Sequence, residues 1–195
     1  MSEISQRFDT IAGAFAQRVN AVPADAWGNP SPCDGWVARD IVRHVTEWIP
    51  AFFNGSAGLS LPADVSVDDD PVGAWAVLHT SLAAALADPD VASREFDGPP
   101  GRMSVEQSID MIVTGDLLIH TWDLARATGL DETLDAVEAK RMLEGIEPYD
   151  EMLRSSGHYG PRVAVAPDAD DTTKLIAFMG RNPIPESRGP ASVDA

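Results

Sequence analysis

Apolar residues recur at every third or fourth position over four long segments of this sequence. That spacing places them on one face of an α-helix, and such a face must be buried against neighbouring elements. The first run consists of Ile4, Phe8, Ile11, Phe15 and Val19. It predicts a helix over residues 3–21, and similar runs predict helices over 37–53 and 71–87. Residues 104–107, Ser-Val-Glu-Gln, have the pattern of a capping box, which predicts that a longer helix begins after Ser104. This helix is predicted to stop at Gly129.

Shorter elements are predicted after the long helix. A fifth helix is expected over residues 132–153, with Asp131 as its cap and a bend at Pro148. A strand-like run at residues 163–165 and a short helix at 172–179 complete the pattern.

Four long amphipathic helices determine the predicted fold class. We expect an all-α protein, an antiparallel four-helix bundle with long connections and short extra C-terminal elements. The Gly- and Pro-rich segment 94–101 is expected to form a turn with short extended pieces beside it. Residues 1–181 are assigned to this one domain, and residues 182–195 to a loose C-terminal tail.

The acidic composition argues against two classes of partner. The 195 residues contain 31 Asp and Glu against 14 Lys and Arg, which gives a formal charge of −17. A nucleic-acid-binding protein needs a basic face, and an acidic membrane surface repels such a chain, so we expect neither partner. Because 44% of the residues are hydrophobic, the chain can bury a core and is not a disordered acidic tail.

The cysteine content and the N-terminal sequence bear on the compartment. Cys33 is the only cysteine, so no intramolecular disulfide can form. The N-terminus carries no basic region followed by an apolar one, and no segment reaches the roughly 18 uncharged apolar residues of a membrane span. We therefore expect a cytoplasmic protein.

Three polar residues interrupt the buried stripes of two predicted helices. Asp116 occupies a position where the pattern calls for an apolar residue, and His120 follows it four residues later. Residues at this spacing are offset by about 40° and about 6 Å along the axis, so both side chains can converge on one point. His44 interrupts the stripe of the second helix in the same way. Buried polar groups need partners, and a divalent metal bound by all three would supply one.

The donor set indicates the kind of metal. Two imidazoles and one carboxylate suit Zn²⁺, with Ni²⁺ or Fe²⁺ as alternatives, and three protein ligands leave one coordination position open. A di-iron centre is disfavoured because the Glu-x-x-His motifs of such bundles are absent from the sequence. Two simpler readings stay open: hydrogen-bonded core histidines, and a local ion pair between Asp116 and His120.

Other polar residues on these helices are weaker candidates. Asp40 could accept a hydrogen bond from the imidazole of His44, or it could be an exposed carboxylate near the start of the helix. Glu47 could act as an acid or base near the metal, or it could be a solvated surface residue. His79 could be a fourth ligand, although an interior or rim position fits its spacing better.

Three further residues have alternative interpretations. Cys33, in the turn before the second helix, could face the site as a thiol, but no basic neighbour is present to activate it, which favours an inert buried cysteine. Asp123 and Arg126 have the spacing of a helix ion pair, while Asp123 also projects toward the stripe one turn beyond His120.

Two stretches of sequence carry a family resemblance. They are residues 32–45, PCDGWVARDIVRHV, and residues 115–129, GDLLIHTWDLARATG. Together they resemble the metal-binding proteins related to mycothiol-dependent maleylpyruvate isomerase, within the DinB-like superfamily. The ends GPRV at 160–163 and GRNP at 180–183 resemble a compact, single-domain actinobacterial-type subgroup.

The resemblance implies a fold, a metal site and a chemistry. It implies a four-helix bundle that binds zinc or another divalent ion through His44, Asp116 and His120. Relatives of known activity use a low-molecular-weight thiol, which the metal activates as thiolate. This chain has Asp116 where the resemblance leads one to expect Glu, and we expect no full second domain after the bundle.

Two functional hypotheses follow. The first is a mycothiol-dependent S-transferase or maleylpyruvate isomerase-like enzyme that acts on a small electrophile with a small-molecule thiol. The second is a non-catalytic metal-binding or ligand-sensing module, compatible with a homodimer, in which the metal only holds two helices together.

Overall fold

The computed structural model describes residues 2–98, 101–155, 157 and 159–184. It divides into two compact units, Met1–Leu134 and Asp135–Ala195. The boundary after residue 181 stays a prediction, and residues 185–195 of the predicted loose tail lie outside the described residues.

The first three long helices of unit 1 lie where the apolar spacing predicts them. Helix α1 spans Glu3–Ala21, α2 spans Ala38–Ser56, α3 spans Pro71–Ala87 and the short α4 spans Pro89–Ala92. Side-chain caps mark the starts of α1 and α3, because Ser2 accepts from the amide of Ser5 and Asp70 accepts from that of Gly73. The second helix begins one residue later and ends three residues later than predicted.

A β-hairpin leads into the long helix. Strand β1, Glu95–Gly98, pairs antiparallel with β2, Gly101–Ser104. The predicted capping box is confirmed, since Ser104 accepts from the amide of Gln107 and the Gln107 side chain accepts from the amide of Ser104.

The long helix itself contains a change of winding. It consists of α5, Val105–Ser108, a π-helical turn, Ile109–Val113, and α6, Thr114–Thr128. The apolar pattern does not predict the π turn, which adds a residue to the winding directly before α6.

Helices α1 and α2 each pack against both α3 and α6. The largest fully buried side chains include Phe8, Phe15, Phe53 and Trp75, with Trp75 edge-on to Phe15. Complete burial of each such ring contributes about 2–3 kcal/mol. The all-α class is confirmed, and no helix among the described residues is both long and apolar enough to cross a membrane.

Unit 2 contains α7, Ala136–Ile146, a 3-10 turn, Glu147–Tyr149, α8, Asp150–Ser155, and α9, Asp171–Phe178. The turn lies at the predicted bend, and α7 packs against α9.

Two local predictions for this part of the chain are wrong. Helix α7 is capped by Asp135, which accepts from the amides of Val137 and Glu138, because Asp131 instead binds the amide and hydroxyl of Thr133. Residues 163–165 form no strand, since the amide of Val163 donates to the carbonyl of Ala177 in α9.

Candidate metal centre

Helices α2 and α6 bring the three predicted ligands together. His44 lies on α2, while Asp116 and His120 lie one turn apart on α6. His44 Nε2 is 3.5 Å from Asp116 Oδ2, and His120 Nε2 is 3.4 Å from Asp116 Oδ1. One donor atom from each residue can be chosen so that all three lie within 4.8 Å of one another.

These separations, each to a different oxygen of Asp116, are compatible with ligands of a common ion and are long for direct hydrogen bonds. A charge-assisted N–H···O bond is expected at about 2.7–2.9 Å. Two donors that each lie about 2.05 Å from a tetrahedral zinc ion are separated by about 3.3 Å. The two imidazole–carboxylate distances are close to the second value.

The other nitrogen of His120 faces a buried carboxylate. His120 Nδ1 lies 3.0 Å from Oδ2 of Asp123, whose side chain has no exposed area. Because an ionised carboxylate only accepts, Nδ1 carries a proton, and Nε2 is the nitrogen that faces Asp116. The thiol of Cys33 donates to the same Oδ2 over 3.4 Å. Asp123 therefore fixes the tautomer and the orientation of His120.

Two tryptophans complete the surroundings. The indole Nε1 of Trp48, one turn after His44 on α2, donates to Asp116 Oδ2 over 3.0 Å. The ring of Trp36 stacks on His120 with centroids 6.1 Å apart and lies 5.1 Å from the ring of His44. Trp48 thus connects α2 to the carboxylate of α6, and Trp36 forms an apolar wall beside both imidazoles.

The three donors differ in exposure. The side chains of His44 and Asp116 are 32% and 27% exposed, whereas that of His120 is 6% exposed. A molecule from solvent can therefore approach the cluster past His44 and Asp116, on the side away from Asp123.

Comparison with known proteins identifies the family. Residues 8–125 match the mycothiol maleylpyruvate isomerase N-terminal domain. The chain belongs to this family. An uncharacterized protein of Mycobacterium tuberculosis, present in strains H37Rv and CDC 1551, is 33% identical over 181 residues, which cover 86% of this chain and 92% of the relative. No solved structure matches the chain.

In this member of the mycothiol maleylpyruvate isomerase N-terminal domain family, the electrostatics of the cluster favour a cation. Burial alone would raise the pKa of Asp116, but His120 and His44 outweigh it and hold that pKa well below its usual range. Burial would lower the pKa of His120, yet Asp116, with smaller effects of Asp123 and Cys33, raises it well above its usual range. Without a metal, His120 therefore retains both ring protons, and a metal bound at Nε2 would have to displace one of them.

Two of the weaker candidates occupy the positions that the simpler alternatives describe. Asp40 accepts from the amide of Val37 over 2.9 Å and pairs with Arg43, so it caps the start of α2. Glu47 lies on the exposed side of α2. Their catalytic roles stay predictions.

His79 is held by aromatic rings. It stacks on Trp75, with centroids 5.4 Å apart, and contacts Phe8. Among the described residues it belongs to neither group of candidate metal donors, in agreement with an interior or rim position.

The sequence leaves alternative interpretations open for Cys33, Asp123 and Arg126. Arg126 pairs with Glu132 and stacks over the ring of Trp122, while Asp123 lies in contact with His120 and Cys33. Cys33 is partly buried and contacts Asp123 across 90 residues of sequence, a contact that helical periodicity cannot reveal.

Proposed function

We propose that this protein binds a divalent metal, most favourably Zn²⁺, through His44, Asp116 and His120. We further propose that it uses the metal to activate a small thiol, mycothiol, for transfer to an electrophile or for isomerisation of one. The supporting observation is the convergence of three donors of the right chemistry. Each imidazole lies 3.4–3.5 Å from an oxygen of Asp116, the three donor atoms lie within 4.8 Å of one another, and one side of the cluster is open.

A second donor group shares His120 and must be distinguished from the first. Cys33, His120 and Asp123 also lie close enough to hold an ion. However, Oδ2 of Asp123 is fully buried and already accepts from both partners, so this group offers no accessible position for a substrate. We assign it the supporting role and assign metal binding to the exposed group.

The bound metal would supply Lewis acidity that favours the thiolate form of the cosubstrate at neutral pH. The residues of the chain provide geometry and access. Asp123 binds Nδ1 of His120 and so directs Nε2 toward the metal, which would displace the proton from Nε2 on binding. Trp48 holds the Asp116 carboxylate, and the Trp36 ring excludes water from one side.

The proposed step balances without a redox partner. In transfer, the thiol sulfur forms an S–C bond and the leaving group departs with the proton of the thiol. In isomerisation, the sulfur adds to a double bond, rotation follows, and the S–C bond breaks to regenerate the thiol.

Elemental analysis of the purified protein tests metal binding. The wild type should retain about one equivalent of metal, and a His44→Ala/His120→Ala variant should lose it. A His79→Ala variant is the matched control, because it removes a partly buried histidine that touches none of the donors. Equal metal content in the wild type and the double variant would refute the assignment.

Cobalt spectroscopy distinguishes the two donor groups. A Co²⁺-loaded protein should lack the near-ultraviolet thiolate-to-cobalt band, and Cys33→Ser should retain the metal. A strong thiolate band that disappears in Cys33→Ser would assign the metal to the Cys33 group instead.

The catalytic half needs a turnover assay. Mycothiol with an electrophile such as monobromobimane, or with maleylpyruvate, should be consumed only by metal-loaded protein. A protein that holds the metal but shows no turnover with either substrate would favour the non-catalytic binding module.

A further inference from the structure

Unit 2 contains a cavity that is lined by none of the proposed metal ligands. Its volume is about 450 Å³, within the range of small-ligand sites. Helices α7 and α9 and the segment from residue 162 to 167 form its walls. Leu143, Val165 and Phe178 are among the apolar lining residues.

The cavity lining of this strongly acidic protein carries as many cations as carboxylates. Its lining includes Lys140, Lys174 and Arg162, and the two lysines are the only ones in the chain. The lining also includes three carboxylates, from Glu144, Glu147 and Asp171.

Two of these cations already have carboxylate partners. Lys140 Nζ lies 3.9 Å from Glu144, and Arg162 lies 3.6 Å from Glu147 and 3.4 Å from Asp150. The Arg162 guanidinium also lies over the Phe178 ring, 4.5 Å from its centroid. Arg162 is therefore held against the apolar wall.

Lys174 is different. It is partly buried, and within residues 2–98, 101–155, 157 and 159–184 no carboxylate lies within ion-pair distance of it. Asp171, one turn earlier, is the first residue of α9, where the positive end of the helix dipole stabilises its charge. A lysine that lines the cavity without a carboxylate partner is available to pair with an anion from solution.

We propose that this cavity binds a small molecule with one carboxylate on an apolar body. The carboxylate pairs with Lys174, and the body packs against Leu143 and Val165. A phosphate dianion fits less well, because Glu144, Glu147 and Asp171 repel additional negative charge. The proposal is independent of the metal-dependent function.

Calorimetric titration with 4-phenylbutyrate tests the site. We expect binding in the millimolar range or tighter, and at least tenfold weaker binding of the neutral 4-phenylbutanamide. Lys174→Met should weaken butyrate binding about tenfold and leave amide binding unchanged. Arg141→Met, on α7 but outside the cavity lining, removes the same charge and should have no effect.

A cavity-filling variant and a metal-site variant complete the test. Val165→Trp should abolish binding of both probes, while His44→Ala/His120→Ala should bind 4-phenylbutyrate as the wild type does. Absence of binding by the wild type, or an unchanged affinity in Lys174→Met, would overturn the proposal. Loss of binding in the double histidine variant would place the carboxylate on the metal and would also overturn it.

Discussion

The two nitrogens of His120 face different partners. Nε2 is directed toward Asp116 and the open side of the cluster, whereas Nδ1 binds the fully buried Asp123. The imidazole cannot rotate without breaking one of these contacts. At the residue scale, the proposed centre therefore depends on a carboxylate that is not itself a proposed ligand.

Replacement of Asp123 by Asn tests this dependence. Asn can still accept from Nδ1 but lacks the charge, so we expect metal affinity to fall about 10- to 100-fold. Competition with a chromogenic chelator measures the affinity.

The control for this prediction is Thr121→Val, which removes a buried side-chain hydrogen bond from the same helix. Its metal affinity should stay within about threefold of the wild type. If Thr121→Val weakens binding as much as Asp123→Asn, the effect comes from α6 stability and not from the orientation of His120.

His79 makes a different residue-scale prediction, about pH. Burial lowers the pKa of His79 below 6.5, and Asp9 opposes the shift only weakly. Below about pH 6.5 the unfolded chain therefore binds a proton that the folded chain does not, so the stabilising contribution of neutral His79 is complete above this pH and declines below it.

Chemical denaturation of the wild type and His79→Gln at pH 7.5 and pH 5 measures this contribution. The wild type should lose more free energy of unfolding on acidification than the variant, since other titrating groups are common to both. An equal loss in the two proteins would contradict the shift.

The sequence predicted the convergence of His44, Asp116 and His120 because helical periodicity relates residues that share a face. Cys33 and Trp36 come from the turn before α2, where no period relates sequence to position. Their contacts with Asp123 and His120 depend on how that turn packs. Such contacts require the tertiary structure.

At the scale of elements, the sequence predicts a helix end best where a capping side chain or a glycine occurs at that end. The end of α6 is an example, since Gly129 adopts φ 71°, a left-handed conformation. The cap of α7 was misassigned because Asp131 and Asp135 have the same chemistry, and only the contact with Thr133 distinguishes them. The π turn at Ile109–Val113 has no sequence signature of this kind.

Gly129 and Gly13 provide a matched pair at this scale. A Cβ at either position meets no atom within 4 Å, so backbone conformation alone determines the effect of substitution by Ala. Gly129→Ala should cost about 1 kcal/mol, because an L-residue disfavours the left-handed region. Gly13→Ala, in the interior of α1, should stabilise by about 0.5–1 kcal/mol.

Urea denaturation of the three proteins checks both signs. Stabilisation by Gly129→Ala would contradict the role of the left-handed cap, and destabilisation by Gly13→Ala would contradict the helical conformation of that position.

At the scale of the whole molecule, the net charge affects how metal binding must be measured. A charge of −17 attracts divalent cations to the surface without any specific site. A gain in stability with added Zn²⁺ is therefore meaningful only as a difference from a protein of the same surface charge. The His44→Ala/His120→Ala variant meets this requirement closely, because it retains all 31 Asp and Glu of the chain and replaces no surface carboxylate.

Metal addition should stabilise the wild type specifically. When the free Zn²⁺ concentration is about 100 times the dissociation constant, binding to the folded protein adds about 2.7 kcal/mol to the free energy of unfolding. For a chain of this size that corresponds to a rise in Tm of roughly 5–10 °C. Thermal melts with Zn²⁺, with Mg²⁺ at equal ionic strength, and with a chelator measure the effect. Mg²⁺ should shift the Tm of both proteins only slightly, since it prefers oxygen ligands. Zn²⁺ should shift the Tm of the double histidine variant no more than Mg²⁺ does. Equal Zn²⁺ shifts in the two proteins would mean that the acidic surface, and not the junction of α2 and α6, binds the ion.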